Sequence, residues 1–251
     1  MYMYTKLLNN LETLKLDKIY SYIPAYLDVV TQKNISVLEA LVHLTDKEIE
    51  YKTEMASKIQ ISVANFPYIK RYDEYNYDFQ PSVNKTQIKD LCSLRFIENK
   101  ENILFYGTPG VGKTHLASAI GIEAAIKRQL TYFISCHDLI QNLRNAYHEN
   151  RLEARLKHYS KYKVLIIDEI GYLPIDKLGA NLFFQLITKR YEHTSTIITT
   201  NQPFSKWGEV FSDVTLANAI LDRLLHHSHI VKIVGPSYRT KDIMDLMKDS
   251  Q

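Results

Sequence analysis

The sequence predicts an α/β protein in three layers, a parallel sheet of five strands with helices on both faces, preceded by a small all-helical domain. Three observations carry this expectation. Apolar runs at residues 103–106, 131–136, 164–167, 196–200 and 230–234 are separated by stretches of helical character, and strands spaced by helices pair in parallel. The first 65 residues contain no glycine and repeat their apolar side chains at helical spacing. The stretch ILFYGTPGVGKTHLA, residues 103–117, joins one apolar run to a glycine-rich turn and then to helix-forming residues.

Along the chain, Leu8, Leu11 and Leu14, then Val37, Leu38, Leu41, Val42 and Leu44, supply apolar faces for N-terminal helices. Thr45, Asp46, Lys47 and Glu48 have the form of a capping box and predict that another helix opens there. This helical domain is expected over residues 1–65. Residues 66–85 are dense in tyrosine and predict a connector lying against the domain that follows, 86–251. Tyr77 or Phe79 of the connector either flanks a bound adenine or simply packs between domains. Residues 102–106 read as a buried strand, and 113–128 as a helix with alanines and isoleucines on its inner side.

With 251 residues, 45% of them hydrophobic and 24% charged, the chain can bury one good core and a smaller appendage. Charge and amide residues interrupt the apolar pattern of the N-terminus, and no later apolar run approaches the length of a membrane span, so a cytoplasmic protein is expected. Cys92 and Cys136 are the two cysteines and lie far apart in sequence, which supports neither a disulfide framework nor a cysteine zinc site. The net charge of +3 allows nucleic-acid binding without demanding it.

The glycine-rich turn carries the most specific chemistry. Gly107, Thr108, Pro109, Gly110, Val111, Gly112, Lys113 and Thr114 fit the phosphate-loop pattern G-x-x-x-x-G-K-[ST], and His115 follows directly. Glycines let successive N–H groups turn inward as an anion nest at the positive end of a helix. Lys113 would reach the β- and γ-phosphates of a nucleoside triphosphate and the Thr114 hydroxyl would ligate Mg²⁺. A purely structural turn needs neither residue.

A second half-site follows in KVLIIDEIGYL, where four apolar residues lead into Asp168 and Glu169. Carboxylates at the carboxyl end of a parallel strand arrive beside the loop. Asp168 would hold the Mg²⁺ and Glu169 would activate the attacking water, which favours hydrolysis over transfer to an acceptor and counts against a metabolic phosphotransferase. The strand STIITTNQPF ends in a polar tip at Asn201, which either hydrogen-bonds the attacking water or γ-phosphate or merely caps the strand.

The order of phosphate loop, second strand, acidic strand end and polar strand tip matches the AAA+ class of P-loop NTPases. More closely, the chain resembles the IstB-like helper ATPases of bacterial insertion sequences, relatives of the helicase loader DnaC. The resemblance rests on NILFYGTPGVGKTHLASAIG, VLIIDEIGYLP, IITTNQPFSKWGEVF, AILDRLLHHSHIVKIVGPSYR and FPYIKRYDEYNYDFQPSVNKTQIKDL, and so covers nearly the whole chain. It implies an ATPase that multimerises on double-stranded DNA and acts with a partner transposase in target selection or strand transfer. A DnaC-like helicase loader is the second reading. By the same resemblance, Arg223 in LDRLLHH corresponds to the arginine that a neighbouring subunit presents to the γ-phosphate, its plain alternative being a surface helix arginine. Arg239 resembles the family's C-terminal arginine, placed either at the nucleotide or at the subunit interface. About fifty residues follow Asn201, too few for a complete AAA+ helical lid, so a truncated or absent lid is expected.

Between the second and third apolar runs, residues 144–163 hold six Lys or Arg against two Glu. Arg144, His148, Arg151, Arg155 and His158 are spaced by four, three, four and three. On one continuous helix they form a stripe that would follow a phosphate backbone without reading bases. The alternative is a solvated face balanced by Glu149 and Glu153.

Overall fold

The computed structural model describes residues 2–240. The chain divides into two compact units, residues 1–59 and 60–251. In the first lie α1 (Tyr2–Thr13), α2 (Asp17–Lys33) and most of α3 (Val37–Val63). Leu11, Ile19, Ile23, Tyr26 and Leu44 form its core. The rings of Tyr26 and His43 stack at 4.8 Å, and the Tyr22 hydroxyl lies 3.2 Å from Nε2 of His43.

The expected helix start at Thr45 is not there: α3 runs through it. The Thr45 hydroxyl donates to the carbonyls of Leu41 and Val42, and Glu48 is buried and accepts from the N–H of Ile19 at 2.9 Å, in the first turn of α2. A free N–H at a helix start needs an acceptor from somewhere, and tertiary packing recruits Glu48 for that purpose. The reciprocal box sits earlier, where Ser36 Oγ accepts from the Glu39 N–H and Glu39 accepts from the Ser36 N–H.

The second unit begins with the end of α3 and the tyrosine-rich segment, followed by α4 (Lys85–Leu91) and α5 (Arg95–Glu98). Then come β1 (Asn102–Gly107), α6 (Lys113–Ile126), β2 (Thr131–Ser135), α7 (Cys136–His148), α8 (Leu152–Ser160), β3 (Val164–Ile170), α9 (Lys177–Arg190), β4 (Ser195–Thr200), α10 (Trp207–Val210), α11 (Val214–Leu225) and β5 (Ser228–Ile233). All five strands are parallel, in the order β2-β3-β4-β1-β5.

Side chains alternate across a strand with a period of two, and the two cores divide accordingly. Ile103, Phe105, Val164, Ile166 and Ile197 pack with α4, α6 and the connector residues Tyr75 and Val83. Leu104, Leu165, Ile167 and Ile198 pack with α7, α9 and α11 on the opposite face. The exposed flank of edge strand β2 is partly occupied, because the Phe133 N–H donates to the carbonyl of Ala64 and Asn65 donates to that of Phe133. Such cover blunts a sheet edge. At the amino end of the sheet the wholly buried Arg190 donates to the carbonyls of Tyr159, Tyr162 and Ser195 and to the Thr196 hydroxyl. Among the described residues no helix is long and apolar enough to cross a membrane.

Candidate nucleotide site

Gly110 and Gly112 adopt φ of 80° and 91°, a left-handed region that side chains disfavour. A β-carbon at Gly112 would also strike the Tyr75 ring, and one at Gly110 the Ser237 side chain. The loop is therefore clamped between the connector, through a Tyr75 hydroxyl bond to the Val111 carbonyl at 2.7 Å, and the C-terminal segment, through the Tyr238 N–H to the Gly110 carbonyl at 2.9 Å. Lys113 Nζ donates to the carbonyls of Gly107 and Thr108, each at 2.8 Å. Burial lowers its pKa, while the carboxylates of Asp168 and Glu169 act in the opposite sense.

Strand order brings the other half of the site to this loop. β4 lies between β1 and β3, so the carboxyl end of β4 separates the glycine loop from the acidic pair. Between Ile167 and Ile170 the β3–β4 register shifts, and Glu169 has φ of 62°. Adjacent side chains of a regular strand face opposite ways; at this irregularity both acids come within electrostatic reach of Lys113. Asp168 is buried and accepts from the Thr114 hydroxyl at 3.0 and 3.1 Å and from the Thr199 hydroxyl at 2.5 Å. Thr199 Oγ1 in turn accepts from the Glu169 N–H at 2.9 Å. The exposed Glu169 side chain lines the cleft. Burial raises the pKa of Asp168, against the hydroxyl bonds from Thr199 and Thr114.

The cleft holds about 380 Å³ and is lined by Pro109 to His115, Glu169, Thr199, Asn201 and Arg239, with Tyr68, Tyr75 and Tyr238 among its walls. The connector thus supplies Tyr68 and Tyr75 to the cleft wall, and of the two alternatives for Tyr77 and Phe79 the contacts are those of packing. Tyr77 instead donates to the Tyr72 carbonyl, and Phe79 packs edge-on against Tyr238. His115 is turned to the connector too, 2.9 Å from the Arg71 carbonyl.

Two sets of expected residues stand apart. Arg223 does not line the cleft of its own chain; its guanidinium sits 4.7 Å from the Phe184 ring centre and donates to the Ala219 carbonyl. The basic stripe does not lie on one helix. α7 ends at His148, Asn150 takes φ of 55°, and α8 opens only at Leu152. Arg144 is paired with Asp176 and Arg151 with Glu149. His158 packs against Tyr159 and Tyr162, where burial first and then Lys161 and Arg155 lower its pKa. The five residues therefore do not run along one helix, and Arg155 is the arginine among them that forms no ion pair among the described residues. Thr199 is the residue that spacing did not assign; a threonine pair ending a buried strand, just before Asn201, was its one signal.

The family described as IstB-like ATP binding protein matches residues 9–245. The chain belongs to this family. Relatives of this IstB-like protein include the one described as the ATP-binding protein of insertion sequence IS232 from Bacillus thuringiensis subsp. berliner, 56% identical over 95% of this chain and 96% of that one. The corresponding IS5376 protein of Geobacillus stearothermophilus is 46% identical over 87% of each. Among solved structures, DnaI aligns with a TM-score of 0.56 at 18% identity over 71% of this chain and 98% of that one. AMPPCP-bound DnaA from Aquifex aeolicus aligns at 0.55 and 19% identity over 74% and 56%. The fold of the IstB-like chain is that of the AAA+ P-loop proteins, with a five-stranded parallel sheet and a helical N-terminal region. Residues beyond Thr240, where the expectation of a truncated lid partly falls, lie outside the described residues.

Proposed function

We propose that this chain is an ATP-hydrolysing helper of transposition that multimerises on double-stranded DNA and acts with the transposase of its insertion sequence in target selection or strand transfer. Family membership supports the setting. The hydrogen-bonded chain Thr114–Asp168–Thr199–Glu169 carries the chemistry, because it ties a phosphate loop to a water-facing carboxylate.

ATP binds with its phosphates against the N–H groups of the loop, and Lys113 exchanges its two carbonyl acceptors for phosphate oxygens. The Thr114 hydroxyl and Asp168 carboxylate are the oxygen donors that suit Mg²⁺, and they are the residues that would hold it. When bound, the ion offsets negative charge on the phosphates. Glu169 accepts the proton of the attacking water, Asn201 orients that water, and Thr199 fixes the backbone from which Glu169 projects. Arg239 stands at the cleft of its own chain, whereas Arg223 serves a neighbour's site. Tyr68 and Tyr75 flank the base.

The helical segment 1–65 forms a separate domain, 66–85 links it, and 86–251 forms the ATPase in the cytoplasm. Contact with DNA phosphate falls to basic residues of α8, the half-buried Arg155 and the exposed Lys157, and to His148 at the end of α7, since Arg144, Arg151 and His158 are engaged within the chain.

Mixing two inactive variants tests the shared site. Arg223→Ala retains Glu169 and Glu169→Gln retains Arg223, so interfaces between them should recover part of the ATPase rate in the presence of DNA. An Arg223→Ala protein that hydrolyses ATP at the wild-type rate would refute the trans role.

A further inference from the structure

At the opposite end of α11 from its amino cap, two turns bring together a ligand set that the nucleotide chemistry does not use. His226 and His227 follow the last helical residue, Leu225, and Glu192 lies in the turn after α9. One ligand atom from each of these three exposed side chains lies within 4.8 Å of the others. We infer that Glu192, His226 and His227 form a binding site for a late first-row divalent metal ion of the zinc class.

The juxtaposition has local causes. Consecutive residues within a helix diverge by about 100° and do not face each other. Here the chain leaves α11, and the His227 carbonyl is held by the N–H of Asn102 at 2.8 Å. The Asn102 side chain also donates to the Leu224 carbonyl at 3.1 Å. The two imidazoles consequently meet with ring centres 4.0 Å apart. Glu192 adopts φ of 59°, an uncommon conformation for a residue with a side chain, in a turn fixed by bonds from His193 and Thr194 to the Arg190 carbonyl. Its carboxylate stands 3.8 Å from Nδ1 of His226, and the Tyr191 hydroxyl, 2.6 Å from the same nitrogen, would give up that bond when the nitrogen coordinates an ion.

Two imidazoles and one carboxylate suit Zn²⁺, Ni²⁺ or Cu²⁺ rather than the all-oxygen preference of Mg²⁺. Metal–ligand bonds near 2.0–2.2 Å require donor separations of about 3.4 Å in a tetrahedron. Small rotations of three exposed side chains close that gap, and water completes the coordination. A bound ion would tie the turn after α9 to the turn after α11, one helical turn from Arg223.

Binding is measured on the untagged, nucleotide-free full chain in excess Mg²⁺, with Zn²⁺ by calorimetry and Co²⁺ by its visible absorption. The expected result is one ion per chain, with an imidazole-containing Co²⁺ spectrum and a Zn²⁺-dependent rise in Tm. His226→Ala/His227→Ala and, separately, Glu192→Gln should weaken binding by more than about 10-fold, while His229→Ala, at a histidine paired with Glu101, should not. Glu192→Gln decides the matter should the double variant fail to fold. Absence of stoichiometric binding, or undiminished binding in the folded double-histidine variant or in Glu192→Gln, would overturn the assignment.

Discussion

Thr199→Val removes the hydroxyl that joins the two acids while keeping the side chain's branched shape. In the wild type that oxygen donates to Asp168 at 2.5 Å and accepts from the Glu169 N–H at 2.9 Å, in a wholly buried position. A hydrogen bond to a charged group contributes about 1.5–3 kcal/mol, and an orphaned buried N–H costs about 1–3 kcal/mol. A net destabilisation near ~3 kcal/mol follows, equivalent to a fall in Tm of about 6–12 °C for a unit of this size. Without the bond, the backbone that aims Glu169 loses its fixed position, and displacement of a catalytic group by about 1 Å costs roughly 100-fold in rate. ATP affinity should change little, because the loop and Lys113 are untouched. Calorimetric melting and steady-state phosphate release check both effects, with Thr199→Ser as the control that restores the hydroxyl. A valine variant that melts and turns over like the serine variant would refute the positioning role.

Asp168→Asn should raise the Tm of the nucleotide-free protein at neutral pH while abolishing Mg²⁺-dependent hydrolysis. The folded-state pKa of Asp168 lies above its ordinary value, chiefly through burial; its contribution to stability is therefore greatest in acid and is lost as pH rises through the raised value. The advantage of the variant should accordingly grow from acid toward neutral pH, and melting curves across that window test the sign. Arg190→Met should destabilise by about 4 kcal/mol or more, since it removes charge-assisted hydrogen bonds to three carbonyls and the Thr196 hydroxyl in a buried position. Burial brings the guanidinium's pKa down to about 9, so it remains charged at neutral pH, and Arg190→Lys should not rescue because one ammonium cannot match the planar fork; urea unfolding measures both. Arg155→Ala with Lys157→Ala should weaken binding to unrelated duplexes alike and make the salt slope shallower by about 2, read by fluorescence anisotropy at several salt concentrations.

The glycine turn between β1 and α6, the placement of the acidic pair at the end of β3 and the five strands were legible in the sequence because each is a local signal: glycines before Lys113 and Thr114, acids after four apolar residues, apolar runs between helices. What escaped was set by partners distant in sequence. Nothing near Thr199 announces that β4 will lie between β1 and β3, which is what makes its hydroxyl the link between Asp168 and the Glu169 backbone. The pattern at Thr45–Glu48 was sound as a pattern, yet Glu48 was claimed by the start of α2. The basic stripe failed for a local reason, the turn at Glu149 and Asn150, which charge spacing alone conceals. Arg190 stands out by no motif or spacing, and only the converging carbonyls of Tyr159, Tyr162 and Ser195 explain its burial. Tyr68 and Tyr75 could not be separated from Tyr77 and Phe79 by composition, because the connector's path over the loop decides which rings reach the cleft.

Glu169→Gln, compared with wild type in a single turnover of pre-bound ATP, bears most directly on whether this cleft hydrolyses nucleotide. The substitution preserves size and leaves Asp168, Thr114 and Lys113 in place, removing only the carboxylate proposed to take the proton from water. ATP should bind with unchanged affinity and then persist, its hydrolysis slowed by about 10²–10⁴-fold. Hydrolysis at the wild-type rate in the glutamine variant would contradict the assignment of Glu169 and, with it, the catalytic reading of the site.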